Sequence, residues 1–449
     1  MKKLFFKSLT ALLLAIVFLF ASCSGEQVNC VGICDASCSI CFCLGCNQVE
    51  ADCICAFDAC DICNNNNCVC VIISPYKGVI WTWNQYKAAL HTHTNNSDGN
   101  ATLSQVIEEY YTKGIDILAI TDHNIVTGSS WRQHFTDNWL ADSATPNGLT
   151  AERRNEILAG VGRSNRGMLE IPYTAEVAAW PCEFNAFFNY NIQFTGGNNA
   201  LRTAINRANA TNSIMFINHP GRSTGGNDPS SWGRRASNEP ATISKYVNLF
   251  LEFRNLVGME IVNRVNDSDS RHDRVLWDNI LKTTLKKGRF VWGFSNDDSH
   301  SNTNAGHNFN MFIMPENTLE NVRNTFIKGN FYAVARRVHV ENVLSALSDN
   351  QAREMLGAGT PFPSITNIEV CLENLTITIH AQNANKIVWI SDGVEIKTET
   401  GVSFPQTLSI YDSATSSFEN GIGLYVRANI IGPGGIAFTQ PFAIQKQFK

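Results

Sequence analysis

Short apolar runs that end at polar residues recur through the middle of the chain. Four of them are Ala88–Leu90, Ile117–Ile120, Ile214–Ile217 and Phe290–Phe294. Apolar runs of this length with polar boundaries are typical of buried strands. Parallel α/β barrels place their active-site residues just past the ends of such strands. The pattern therefore predicts an α/β barrel whose functional residues follow the strands.

The pattern changes to strand-like alternation toward the C-terminus. A boundary rich in proline and glycine, Gly357–Pro363, precedes the change. Three alternating segments follow it: Leu375–His380, Lys386–Ile390 and Gly423–Ile430. Short alternating segments divided by glycine, asparagine and aspartate predict a small β-sandwich-like domain.

The first residues have the organisation of an export signal. Lysines at positions 2, 3 and 7 precede an apolar run from Leu9 to Phe20, and Ala21-Ser22-Cys23 follows. A charged start, a short apolar core and small residues before a cleavage point indicate a secretory signal. The cysteine after Ala-Ser resembles a bacterial lipoprotein signal, so we expect Cys23 to be acylated and to anchor the protein to the membrane at the periplasm or cell surface. A plain cleaved signal is the alternative.

Cysteines are concentrated directly after this signal. Thirteen of the fifteen lie between Cys23 and Cys70, and twelve remain when Cys23 is set aside. An even number of cysteines in a short exported segment predicts a disulfide framework. Cys-x-x-Cys pairs that bind zinc are the alternative, although their spacing does not match that of zinc fingers.

Composition bounds the domain organisation and the class of partner. The 449 residues exceed one typical domain. We predict a signal at 1–22, a cysteine-rich segment at 23–75, an α/β domain at 76–360 and a β domain at 361–449. The net charge of −5, without a run of lysine or arginine, argues against a nucleic-acid groove.

Histidine and acidic residues follow the predicted strands. Five of the ten histidines fall in four segments: His91-Thr-His93, Thr121-Asp-His123, Asn218-His219-Pro-Gly and Asp298-Ser-His300. A single His-x-His or Asp-x-His pair is often no more than a pair of polar residues on the protein surface. Four of them, most preceded by an apolar run, favour a metal site instead. Imidazole and carboxylate ligands together suit zinc, manganese and iron.

The order of these elements resembles the PHP (polymerase and histidinol phosphatase) family of metallohydrolases over residues 86–345. The matching order is His-x-His, Ser97-Asp98-Gly99, Thr-Asp-His, Glu, His-Pro and Asp-x-His. Glu183–Phe187 and Gly258–Asn263 are similar to signatures of the exported, carbamate-hydrolase-like branch. The resemblance implies a distorted (β/α)7 barrel.

The resemblance also implies a site for two or three divalent ions of manganese, zinc or iron. The implied ligands are His91, His93, Glu176 and Asp298 for a first ion, Glu176 and His219 for a second, and Asp98, His123 and His300 for a third. Where the family usually has a histidine before Phe-Asn-Ala, this chain has Glu183. Glutamate binds the same metals but prefers harder ions, so the second ion would be lost, weaker, or shifted toward manganese or iron.

Neighbouring residues have less specific interpretations. Asp122 either orients a ligand imidazole or holds a proton, or it caps a strand end. Arg222 either grips a substrate phosphate or is a solvated loop arginine. Glu260 either points into the barrel mouth or is a structural carboxylate. Asn185 and Asn263 are candidate substrate contacts.

These residues together predict an exported metal-dependent hydrolase. We expect a phosphoesterase that attacks a small phosphorylated or ester substrate with a hydroxide held by the metals. One alternative is hydrolysis of a carbamate or carboxylic ester at the same ions. The other is a surface binding protein without turnover.

Overall fold

The structure is a computed structural model of the full chain. It describes residues 71–123, 139–141, 147–189, 200–224, 236–264, 270–336, 361–412, 417–419 and 421–445. The export signal, Cys23 and the cysteines up to Cys70 lie outside the described residues, so their predicted roles stay predictions. None of the helices in the described ranges combines the length and apolar character needed to cross a bilayer.

Helices and strands alternate through the first two thirds of the described chain. The helices are Leu103–Thr112 (α1), Ala151–Ala159 (α2), Leu201–Ala210 (α3), Pro220–Thr224 (α4), Pro240–Glu252 (α5), Ser270–Thr284 (α6) and Leu319–Lys328 (α7). The strands of this part are Val71–Ile73 (β1), Asn84–Ala89 (β2), Ile117–Leu118 (β3), Leu169–Glu170 (β4), Ala175–Val177 (β5), Phe184–Phe187 (β6), Ile214–Ile217 (β7), Leu256–Asn263 (β8), Trp292–Asn296 (β9), Asn308–Met314 (β10) and Phe331–Ala335 (β11).

Strands alone follow in the C-terminal part. They are Ser364–Cys371 (β12), Thr376–Gln382 (β13), Lys386–Ser391 (β14), Val394–Thr400 (β15), Gln406–Ser409 (β16), Tyr411–Asp412 (β17), Ser417–Phe418 (β18), Tyr425–Gly432 (β19), Gly435–Phe438 (β20) and Phe442–Gln445 (β21). The structure therefore confirms the prediction of a mixed α/β protein with a β-rich C-terminal part.

Local sequence signals explain where the helices form. Thr102 and Gln105 form a capping box at the start of α1, each side chain bonding the backbone of the other. This arrangement satisfies amide groups that the first helical turn leaves without partners. Leu103, Val106, Ile107 and Tyr110 are buried along one face of α1, at the spacing of a helix that packs against a sheet.

Two sheets surround the interior of the α/β part. One contains five strands in the order β5-β6-β7-β8-β9, and its β7, β8 and β9 are parallel. The other includes the parallel neighbours β2, β3 and β4. Two isolated bridges, Thr92 to Ser299 and His123 to Glu176, join the sheets near the strand ends. Because β6 is antiparallel to both β5 and β7, a regular (β/α)7 barrel is not shown and stays a prediction.

The C-terminal strands are paired directly with the α/β part. Strand β20 pairs with β11, Ala333 lying opposite Phe438, and β21 pairs with β1. The C-terminal strands β14, β15, β19, β20 and β21 thus extend the sheet that holds β2 and β3. A separate sheet of β12, β13 and β16 shares a hydrophobic core with them, which gives a sandwich-like pair of layers. The predicted boundary at residue 361 stays a prediction.

Candidate metal centre

Four side chains from three separate strands meet in the interior. His91 and His93 follow β2, Glu176 lies in β5, and Asp298 follows β9. Their Nε2 and carboxylate atoms form one cluster of potential metal ligands. All four residues are buried. The structure therefore brings together the four ligands implied for the first ion.

The atom spacing in this inner cluster fits a metal ion. Glu176 Oε2 lies 3.2 Å from His91 Nε2 and 3.1 Å from His93 Nε2. Asp298 Oδ1 lies 3.4 and 3.2 Å from the same two nitrogens. Ligands bound at roughly 2.0–2.2 Å around one ion have about this separation.

Unsatisfied polar atoms point to the same conclusion. Among the described residues, His91 Nε2, His93 Nε2 and Asp298 Oδ1 are buried without a hydrogen-bond partner. A buried polar atom without a partner is costly, and convergence of three of them is unusual. A divalent cation would satisfy all three, so the residues present fit a metal.

A second cluster lies closer to the surface. It joins His93 to Asp98, His123 and His300, the residues implied for the third ion. His300 Nε2 is 3.0 Å from Asp98 Oδ2, and His123 Nε2 is 3.5 Å from the same oxygen. The Asp98 side chain is 49% exposed, whereas that of His93 is fully buried. This outer cluster therefore faces the opening of the site.

The third group contains Glu183, the residue at which the chain departs from the family pattern. Glu183 forms a potential ligand group with His123 and Glu176. Its carboxylate lies 3.7 Å from His123 Nδ1 and 3.8 Å from His219 Nε2. His219 itself is 3.2 Å from Glu176 Oε1. Glu176 and His219, the residues predicted for the second ion, are thus neighbours, and only the distances to Glu183 exceed those of the inner cluster.

Glu176 connects the three groups. Its Oε2 faces His91, His93 and His123, and its Oε1 faces His219 and accepts a 2.7 Å hydrogen bond from Asn218. One carboxylate with its two oxygens turned toward different imidazoles has the geometry of a bridging ligand. This arrangement agrees with the position between two ions that the resemblance to the PHP family implied for Glu176.

Glu260 supports the inner ligands from behind. Its Oε1 accepts hydrogen bonds of 2.8 Å from His91 Nδ1 and Asn296, and its Oε2 accepts one of 2.9 Å from the His219 amide. A carboxylate that holds Nδ1–H leaves Nε2 of the same imidazole available to a metal. The sequence left open whether Glu260 points into the barrel mouth or is a structural carboxylate at a strand end, because its partner His91 is 169 residues away.

Asp122 fixes the loop that follows His93. It accepts hydrogen bonds from the Thr94 amide and hydroxyl, each 2.6 Å, and from the Ser97 hydroxyl at 2.7 Å. Among the hydrogen bonds of the described residues, none joins Asp122 to an imidazole, so its visible role is to hold this loop in place. Gly99 completes this loop, because a Cβ there would lie 2.7 Å from the His93 carbonyl group.

Two asparagines predicted to contact a substrate lie beneath the ligands instead. Asn185 is fully buried and bonds the Leu90 carbonyl and the Asn218 amide. Asn263 is also fully buried and donates to Glu260 at 2.8 Å. Because neither side chain faces the opening, the geometry supports a ligand-positioning role and not substrate contact.

Two arginines lie beside Asp298. Arg222 Nη1 is 3.5 Å and Arg264 Nε is 2.8 Å from Asp298 Oδ2. The sequence pointed to Arg222, which the structure places in the short helix α4 after His219. It missed Arg264, whose one signal was its place just past the end of β8, where parallel strands present functional residues.

The carboxylates and imidazoles shift one another's pKa. Burial alone would raise the pKa of Glu176 and Asp298, but the surrounding imidazoles hold both well below their ordinary range. Burial likewise disfavours a charged His93, yet the neighbouring carboxylates of Asp298 and Glu176 raise its pKa to about 10. For Glu183, burial and the nearby Glu176 raise the pKa. Without a metal, the raised pKa values of His91 and His93 therefore favour protonated imidazoles in the inner cluster.

Metal loading is expected to depend strongly on pH. Imidazole binds a metal only in its neutral form, so an ion must displace the proton that His93 holds up to about pH 10. Apparent affinity should therefore rise with pH, about tenfold per unit for each proton displaced. Titrating metal-depleted protein with Mn²⁺ between about pH 6 and 8, and measuring proton release, tests this. An affinity that stays constant over that range would contradict it.

Comparisons with known proteins find remote structural similarity only. No family model and no curated protein matches the chain. One similar solved structure is a two-domain protein containing a predicted PHP-like metal-dependent phosphoesterase from Bacteroides vulgatus. It is 17% identical, with a TM-score of 0.40, and the match covers 84% of this chain and 99% of that one. Another is an amidohydrolase from Chromobacterium violaceum with bound sulfate and no metal, 13% identical with a TM-score of 0.30, covering 48% of this chain and 87% of that one.

Proposed function

We propose that this protein is an exported metal-dependent hydrolase that acts on phosphoric esters. The observation that carries the proposal is the sharing of Glu176 among adjoining groups of histidine and carboxylate ligands. Adjacent divalent ions bound there would polarise a phosphoryl oxygen and lower the pKa of a coordinated water toward about 7. The order of the ligand motifs, which resembles the PHP family, supports the same chemistry.

The protein's own residues supply position and charge. Glu260 fixes the His91 ring, and Asp122 fixes the loop that carries Asp98. Arg222 and Arg264 place positive charge on one side of the inner cluster. Guanidinium groups suit the oxygens of a phosphoryl group. A neutral carbamate or carboxylic ester would make less use of these cations, so the phosphoric ester is favoured.

Phosphate release from an aryl phosphate is the direct test. We expect turnover after metal-depleted protein is refilled with Mn²⁺ or Zn²⁺, no turnover after chelation, and two or three ions per chain by elemental analysis. Hydrolysis of an aryl acetate or carbamate without phosphate release would favour the carbamate or carboxylic ester alternative. Folded protein that binds no divalent metal would exclude the hydrolase.

The Glu183→His substitution is expected to change metal preference. Imidazole is a softer ligand than carboxylate, so the variant should move toward zinc and away from manganese. Competition between Zn²⁺ and Mn²⁺, followed by elemental analysis of both proteins, measures the shift. The Glu373→His substitution in the C-terminal part is a suitable control, because Glu373 is exposed and lies in none of the ligand groups. Equal preference in Glu183→His and the unaltered protein would place Glu183 outside the ligand set.

The proposed location rests on the N-terminal sequence. The apolar run before Ala21-Ser22-Cys23 supports export and acylation of Cys23, with the enzyme tethered at the membrane surface. Mass spectrometry of the mature N-terminus tests this: a diacylated or triacylated Cys23 is expected. An unmodified N-terminus elsewhere would favour a plain cleaved signal.

A further inference from the structure

The two carboxylate oxygens of Asp298 have different surroundings. Oδ1 faces His91 and His93, at 3.4 and 3.2 Å, and belongs to the inner ligand cluster. Oδ2 faces the guanidinium groups of Arg264 and Arg222, at 2.8 and 3.5 Å. One carboxylate group therefore separates the metal position from two arginines. Arg222 Nη2 also donates to Asn263 Oδ1 at 3.1 Å, and Arg264 Nη2 lies 3.4 Å from His300 Nδ1, so both guanidinium groups border the ligand groups.

Arg264 is held rigidly in this place. Its backbone has a φ of 58°, a left-handed conformation that is uncommon for a residue with a side chain. The Arg264 amide donates to the Asn296 carbonyl, and the Arg264 carbonyl accepts from the Asn308 side chain. Backbone strain of this kind persists where the surroundings fix it, often at functional sites. The side chain remains 41% exposed, so its guanidinium lies at the opening.

The charge of the loaded site would favour an anion. Five carboxylates lie in or directly behind the ligand groups: Asp98, Glu176, Glu183, Glu260 and Asp298. Two or three divalent ions together with the two arginines would outweigh these carboxylates. The remaining positive charge would lie on the side where the arginines meet the opening. Such a focused field attracts a substrate of opposite sign.

From this geometry we infer that Arg222 and Arg264 form an anion clamp that selects a terminal, dianionic phosphoryl group. The inference rests on the proposed function and names its substrate class: phosphomonoesters, in preference to phosphodiesters and uncharged esters. Guanidinium groups bind phosphate oxygens in a fork geometry that a lysine cannot reproduce. A phosphodiester offers these donors one charged oxygen fewer, and a carboxylic ester offers none.

The test compares Arg264→Met and Arg222→Met with Arg202→Met as a matched control. Arg202 is 68% exposed and paired with Glu252 on the outer helices. For manganese-loaded protein, KM for an aryl phosphate and Kd for inorganic phosphate should each rise by about tenfold or more in the clamp variants. Kinetic constants for a bis-aryl phosphate should change much less. Arg264→Lys should recover only part of the phosphate affinity, because lysine lacks the fork.

Other outcomes would overturn the clamp. One is unchanged phosphate affinity in both clamp variants. A second is an equal loss of activity toward the monoester and the diester. A third is a loss of phosphate affinity explained entirely by lower manganese content, which would make Arg264 a positioning residue for Asp298. The phosphate-binding measurement separates this inference from the proposed function. If the unaltered protein binds phosphate but hydrolyses no phosphate ester, and the clamp variants bind phosphate more weakly, the clamp stands and the catalytic proposal fails.

Discussion

The Glu176→Gln substitution is expected to reduce turnover by at least ~10²-fold while leaving the fold nearly intact, because metal-assisted activation of water depends on the bridging charge. Glu176 Oε2 faces His91 and His123, and its Oε1 faces His219. Glutamine keeps the shape but replaces one oxygen with an amide nitrogen that cannot bind a cation. The measurement is kcat for an aryl phosphate at saturating metal, with metal content determined in parallel.

A matched substitution separates this effect from general damage. Glu170 is also a buried glutamate at the end of a short strand, β4, but it pairs with Arg154 and lies outside the ligand groups. Glu170→Gln should therefore keep turnover close to that of the unaltered protein. Thermal unfolding of both variants checks that the fold is retained. Near-normal turnover of Glu176→Gln would show that another residue bridges the ions.

The Arg427→Met substitution is expected to lower the free energy of unfolding by about 3–5 kcal/mol. This is the usual cost of removing one partner of a buried ion pair, because the other charge stays buried without a counterion. Arg427 in β19 is fully buried and donates to both oxygens of Asp278 in α6, at 2.8 and 2.7 Å. The Tyr425 hydroxyl donates to the same carboxylate at 2.6 Å. Removing the guanidinium leaves Asp278 charged in a buried setting. Denaturant unfolding of the full chain measures the loss.

The Asp278→Leu/Arg427→Met double variant tests the cause. Removing both charges should recover much of the lost stability, because a buried ion pair is often replaceable by apolar residues. Arg202→Met, which breaks an exposed pair with Glu252, should cost less than about 1 kcal/mol. If Arg427→Met costs no more than Arg202→Met, the C-terminal strands do not depend on this contact with α6.

Sequence reasoning was most informative where a ligand follows a strand closely. His91 and His93 come just past β2, and Asp298 and His300 just past β9. Such spacing is local, so it can be read along the chain, and the inner and outer ligand groups that the resemblance to the PHP family implied do lie together. The C-terminal segments Leu375–His380 and Lys386–Ile390 likewise overlap observed strands, because alternation depends only on neighbouring residues.

Contacts between residues far apart in the sequence could not be predicted in the same way. Asn263 and Asn296 donate to Glu260 from the ends of β8 and β9, and only the order of strands in the sheet brings these ends together. Arg264 likewise contacts Asp298 only because β8 lies beside β9. The buried position of Asn185 was missed for the same reason, since a polar residue within a short strand looks the same whether it faces the opening or the interior.

The sequence by itself determined the residue types of the ligands, their order along strand ends and the β-rich character of the C-terminal part. The tertiary structure decided which carboxylate oxygen meets which imidazole, which arginines stand beside Asp298, and that β20 continues the sheet through β11. The physical reason is that strand periodicity and ligand chemistry are properties of adjacent residues. Strand neighbours and buried pairs such as Asp278 with Arg427, 149 residues apart, are chosen by packing of the whole chain.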